Sequence, residues 1–218
     1  MRRVVVVGGG GHARPVIEAL RTSAQRLEPV ACTDSDPRRW GKTVDGVAIV
    51  GDDELLEGLL AEGITTACIA LGGHGENGPR ARLYAYVHSL GFDLPAVVHG
   101  WAHVAHSASL GRASVVLMGA VVGAGARLGE NVLVNSAATV EHDCEIGDHA
   151  HLASGCTLGG GVAIGARAHV GLGAAILQGR RVGAGAIVGA GAVVVHDVAA
   201  GETVVGCPAR ALEMSAHG

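Results

Sequence analysis

Every sixth residue from Val104 to Val194 is Val, Leu or Ile, sixteen positions without a break. A second position keeps the same step: the residue four further on is Ala, Ser, Cys or Val in fifteen of these sixteen hexads, Arg180 being the exception. Glycine recurs directly after the aliphatic, as in LGENV, IGDHA and VGAGA. A strand repeats its side chains every two residues and a helix about every 3.6, so a strict period of six fits neither as a continuous element. It fits a parallel β-helix, in which three hexads, about eighteen residues, make one triangular coil. The aliphatic fills the interior and the small residue takes the crowded corner. Sixteen hexads give a little over five coils, and at about 4.8 Å per coil the column should stand about 25 Å tall. Its open ends need covers, which the preceding half and the tail GETVVGCPARALEMSAHG are expected to supply.

Composition agrees with such a column. Aromatic residues make up 2% of the chain and apolar residues 49%, with 36 glycines among 218 residues. The core must therefore be built from small aliphatics on a tightly stacked backbone. A net charge of −4 gives no broad basic surface, which argues against nucleic acid as a partner. The five cysteines are odd in number and contain no C-x-x-C pair, so reduced thiols are expected rather than a disulfide framework or a zinc knuckle. The first apolar run, four valines long, is too short for a signal h-region, and no later run approaches membrane-spanning length. A cytoplasmic protein without membrane insertion is expected.

The first half follows another rhythm. Strand-like RRVVVVG, EPVACTD, VAIVG and TTACIALG alternate with helix-like ARPVIEALRTS, DDELLEGLLAEG and PRARLYAYVHSLG, the pattern of a parallel sheet covered by helices. The expected organisation is a Rossmann-like α/β domain at 1–98, a parallel β-helix at 99–200 and a capping tail at 201–218. Within VVVVGGGGHARPV, Gly8, Gly10 and Ala13 fit the G-x-G-x-x-G/A pattern, and Asp34 sits near the ribose-binding position. Such a loop can cradle a phosphate at a helix N-terminus or be a plain tight turn.

In VEHDCEIG, His142 holds the third position of a hexad beside Asp143, a carboxylate able to orient the ring and raise its basicity. One coil on lies Gly160, which leaves space beside the imidazole and exposes a backbone N–H there.

The unbroken hexads, the ending VVGCPAR, the opening GGGGHARPV and the segment VEHDCEIGDHAHLASG together resemble the sugar-nucleotide acyltransferases of the left-handed β-helix superfamily. More narrowly, the chain resembles bacterial N-acetyltransferases that modify the 4-amino group of a nucleotide-linked deoxy-amino sugar, such as those acting on GDP-perosamine and their UDP-sugar relatives. The resemblance implies a left-handed column, acetyl-CoA as co-substrate and a homotrimer with acetyl-CoA in a groove between columns. It implies His142 as base and Asp143 as its tuner, although some relatives carry Glu there. It places Gly10, Gly11, His12, Asp34, Ser35 and Gly72 at the nucleotide-sugar site. It places His151, Gly160, Leu172 and Ala190 at the acetyl-CoA site. Relatives have two acidic residues at the 34–35 position; Ser35 departs from this. His169 reads as a surface neighbour of His151, and Arg180 as either a CoA-phosphate contact or a solvated cation.

Three other readings compete. A metal site, as in β-helical carbonic anhydrases, would use His106 and His142, two coils apart, but Gly147 stands where that family has its third ligand; no metal is expected. Sugar O-acetylation uses the same scaffold, and a non-catalytic β-helical scaffold would need no acetyl-CoA at all.

Overall fold

The computed structural model describes residues 1–73 and 75–212. The α/β half forms a five-stranded sheet from β1 (Arg2–Val7), β2 (Leu27–Thr33), β3 (Thr43–Val44), β4 (Val47–Gly51) and β5 (Thr66–Ile69), in the order β3-β4-β2-β1-β5. All neighbours run parallel except β3 and β4. That hairpin turns through Asp45 and Gly46, both at positive φ, an Asp-Gly signal that the strand pattern alone passed over. Helices α1 (Ala13–Thr22), α2 (Leu56–Ala61) and α3 (Gly78–Ser89) complete the domain. Val4 and Val6 of β1 pack with α1, whereas Val5 and Val7 pack with Leu56 of α2 and Val87 of α3. Alternate valines thus serve opposite faces of one strand, as a doubly covered parallel sheet requires.

From Val97 the chain winds as a left-handed parallel β-helix of two-residue strands on three faces. Its register is the expected eighteen: Val122 pairs with Val140, Val140 with Leu158 and Leu158 with Ile176. The aliphatics and the small corner residues, including Cys144 and Cys156, form one buried core. Fourteen corner residues from Ala113 to Gly191 recur every six positions with positive φ. The left-handed corner conformation favours Gly and tolerates Asn and Asp, which is why Asn131 and Asp143 are at home there.

Two departures from the hexad reading concern the ends. The column begins one hexad before Val104, with Val97–Val98 pairing Val115–Val116; in that first hexad His99 stands where glycine later recurs. The last coil is two residues short, since Val198 pairs with Val182 and Val204 with Val188, sixteen residues on instead of eighteen. Arg180, the exception among the small corner residues, has a half-exposed side chain 3.9 Å from Asp197. Beyond Gly201, Thr203–Val205 pairs antiparallel with Arg210–Ala211, and Ala209 packs against the core. The rest of the expected capping tail, 213–218, lies outside the described residues.

The α/β domain docks along the flank of the column, whereas a cover over its open end was expected. On the face carrying Val97, Val115, Leu133, His151, His169 and Ile187, the first three outward residues are buried with α1 and β1. Each such burial contributes about 1.5–3 kcal/mol. Helix α3 lies lengthwise on one corner. Asn77 Nδ2 donates to the carbonyls of Arg167 and Ala168, at 3.2 and 3.0 Å. Arg80 Nε donates to Asn131 O at 3.4 Å, and Tyr84 donates to Glu130 Oε2 at 2.5 Å. His88 meets Arg112 at 3.0 Å.

Candidate active site

The cleft between the two domains has a volume of about 1350 Å³, ample for a nucleotide-sized ligand. Its N-terminal wall includes Gly10, Gly11, His12, Asp34, Ser35 and Gly72, so all six residues expected at the nucleotide-sugar site come together. They do so because the glycine loop leaves β1 and the Asp34 loop leaves β2 at the same sheet edge, where open parallel sheets bind ligands. Gly10 and Gly11 face open space, with nothing within 4 Å of where a Cβ would stand. No acidic residue occupies the first turn of α1, which leaves its positive dipole end uncompensated.

Asp34 holds this loop in shape. Its Oδ2 accepts the Gly9 N–H at 2.9 Å and its Oδ1 the Asp36 N–H at 2.8 Å. Each oxygen therefore already serves the backbone, while Ser35 beside it is exposed. Arg39 Nη1 donates to Gly9 O at 3.2 Å. Burial, with the nearby Arg80 cation adding to it, pulls His12 down to about 4, so its imidazole is neutral at physiological pH.

The opposite wall is the flank of the β-helix, where His151, Leu172 and Ala190 line the same cleft. His151 is buried, its ring lies 4.8 Å edge-on to His169, and its Nε2 stands 3.4 Å from Asn135 Nδ2. His169 is no surface residue: it is buried and lines the cleft, because the docked α/β domain covers the face on which it points outward. Asn135 also lines the cleft and was overlooked. Its signal was present in the sequence, for it occupies the post-aliphatic position where glycine recurs.

The remaining residues expected at the chemistry, His142, Asp143 and Gly160, sit together on a different corner, away from this cleft. His142 Nδ1 is 2.9 Å from Asp143 Oδ2, and both side chains are exposed. The hydrogen bond that His142 Nδ1–H donates to Asp143 is the main cause that raises the His142 pKa above its ordinary value, with the charges of Asp143 and Glu141 adding to it. Above the ring is Gly160, where a Cβ would stand 2.5 Å from Nε2. Below, a Cβ at Gly125 would stand 2.6 Å from Asp143 Oδ1. Glycines on the two adjoining coils thus make room for the dyad. Among the described residues no backbone acceptor takes the Gly160 N–H. A neutral imidazole with an oriented Nδ1–H, an open Nε2 and a backbone donor beside it can accept a proton from a nucleophile while steadying an oxyanion.

The PglD N-terminal domain family matches residues 3–87, and the bacterial transferase hexapeptide (six repeats) family matches residues 125–160. The chain is similar to the structure of PerB from Caulobacter crescentus in complex with CoA and GDP-perosamine, with 38% identity over 96% of each chain and a TM-score of 0.89. It is equally similar to the acetyltransferase domain of PglB from Neisseria gonorrhoeae in complex with acetyl coenzyme A, at 38% identity over 97% of this chain and 99% of that one, with a TM-score of 0.86. WeeI from Acinetobacter baumannii follows at 26% identity, 96% and 99% coverage and a TM-score of 0.69. No curated protein sequence matches.

Proposed function

The chain belongs to the acetyltransferases that join a PglD N-terminal domain to hexapeptide repeats, and from that membership we propose that it transfers the acetyl group of acetyl-CoA to the 4-amino group of a nucleotide-linked deoxy-amino sugar. The observation that carries this reading is the stack of His142, Asp143 and Gly160. The unprotonated sugar amine attacks the thioester carbonyl carbon. His142 Nε2 takes the proton from the attacking nitrogen, and Asp143 holds Nδ1–H and stabilises the imidazolium. The Gly160 N–H donates to the oxyanion. Collapse of the tetrahedral intermediate breaks the C–S bond, and the His142 proton passes to the leaving CoA sulfur, leaving an amide.

The division of labour along the chain supports the same reading. The glycine loop, His12, Ser35 and Gly72 hold the nucleotide sugar, with Asp34 shaping the loop, and His151, Leu172 and Ala190 border acetyl-CoA. We infer that the working enzyme is a homotrimer in which a neighbouring column covers the dyad, a reading supported by the exposure of the dyad on a corner away from the cleft of its own chain. Sedimentation of the active species at three times the chain mass is expected; an active monomer would overturn the trimer. Both co-substrates are cytoplasmic metabolites, and the product suits the building of surface polysaccharide.

The test is incubation with acetyl-CoA and a panel of GDP- and UDP-linked 4-amino sugars. Thiol release with a mass gain of one acetyl group on the amino sugar is expected. Thiol release only with hydroxyl acceptors would instead establish an O-acetyltransferase.

A further inference from the structure

Arg80, on α3, is 1% exposed and takes no part in the chemistry above. Its guanidinium lies in the seam between the domains with no carboxylate partner among the described residues. Two of its nitrogens donate to main-chain carbonyls, Nη1 to Leu71 at 3.0 Å and Ile69 at 3.5 Å and Nε to Asn131 at 3.4 Å, while Nη2 has no hydrogen-bond partner among the described residues. Leu71 leads directly into Gly72 and Gly73 of the cleft wall, and Asn131 is a corner of the β-helix. Asn131 answers with its own Nδ2, which donates to Arg80 O at 3.4 Å and meets His149 Nδ1 at 3.0 Å.

A buried cation without a counter-ion is costly, and an apolar residue of similar volume is often neutral or stabilising at such a place. Burial indeed pulls the Arg80 pKa down to about 10. Stability is therefore a poor account of its presence. Geometry offers another, since the planar fork with donors on Nε and Nη1 reaches, at one point, a loop of the α/β domain and a corner of the column. Lysine, a single point of charge, cannot bridge both carbonyls in that way.

We propose that Arg80 is a positioning residue: by tying Leu71 O to Asn131 O it fixes the Gly72–Gly73 wall of the cleft relative to the β-helix, and so sets the seat of the nucleotide sugar. The inference rests on the sugar-nucleotide reading above. It concerns only that half of the site, because the CoA-side residues Gly160, Leu172 and Ala190 are carried by the column itself. A wall displaced by about 1 Å can cost up to about a hundredfold in a positioned reaction.

The experiment is calorimetric titration of GDP, UDP and CoA into the full chain as wild type, Arg80→Gln and Arg80→Lys, with steady-state kinetics beside it. In Arg80→Gln, the nucleotide that wild type binds should bind at least about tenfold more weakly, and the KM for the nucleotide sugar should rise accordingly, while CoA affinity stays within about twofold. Arg80→Lys should recover part of the nucleotide affinity through its reach to one carbonyl. KM does not depend on the fraction of enzyme that is active, so mere partial unfolding leaves it unmoved. Unchanged nucleotide affinity in a folded variant overturns the proposal, as does equal weakening of nucleotide and CoA. Should Arg80→Gln not fold, Arg80→Lys decides by the same two criteria. A wild type that binds neither nucleotide defeats the sugar-nucleotide reading itself, whereas wild-type binding with unaltered variants defeats this inference alone.

Discussion

Gly160 lies one coil above His142, so close that a Cβ on it would stand 2.5 Å from the imidazole Nε2. Its φ lies outside the left-handed region, so the backbone itself does not demand glycine. The space for the ring does. Gly160→Ala should fold, with a melting temperature within a few degrees of wild type. Displacement of the ring should lower kcat by about 10². Steady-state kinetics with a melting curve on the same sample checks both parts. An alanine enzyme of wild-type kcat would show that the ring position does not matter.

His142→Ala should leave the β-helix intact, because the side chain is exposed and outside the core. The chemical step should slow by about 10² to 10⁴, the range for a positioned acid–base group. Acetyl-CoA affinity should persist. Near wild-type kcat at saturating amino-sugar nucleotide would remove His142 from the mechanism.

Asp143→Asn should move the acidic limb of the kcat/KM profile to lower pH. The base acts when neutral, so activity is lost as pH falls through the His142 pKa. Asp143 raises that pKa, chiefly by its hydrogen bond, and the uncharged amide withdraws this effect. Asn is tolerated at the positive φ of 57° found at Asp143. Combined with His142→Ala, the loss should be less than the product of the single losses, since both act on one proton transfer. A limb that stays in place would separate Asp143 from the base.

Leu152→Ala tests the column. Leu152 is fully buried in its core, and removing a buried leucine beyond Cβ costs about 2–5 kcal/mol. Urea denaturation should show a lower midpoint. Loss of well under 1 kcal/mol would mean that the stacked coils close around the gap.

Local repetition made much of the fold legible in the sequence. A hexad needs only its own residues and the coil below to reveal what points inward, so the column, its register and the stacking of His142 beneath Gly160 follow from counting. The sheet edge that gathers Gly10, His12 and Asp34 also follows, because loops leaving adjacent parallel strands at the same edge are neighbours. The sequence determined this much because each of these relations has a fixed separation along the chain.

What has no fixed separation was decided only by tertiary structure. The outward ladder Val115, Leu133, His151, His169 looks alike to the hexad rule, yet its apolar start is buried under α1 and its histidines face a cleft. Helix α3 runs along its corner against the direction in which the coils are stacked. Asn77 meets the coil of Arg167, Arg80 and Tyr84 both meet the coil of Glu130 and Asn131 two coils earlier, and His88 meets the coil of Arg112. This docking seats Arg80 between Leu71 and Asn131. Nothing in the sequence around Arg80 announces it, because its partners are carbonyl oxygens, which every residue possesses; only the packing of the two domains selects which of them it reaches.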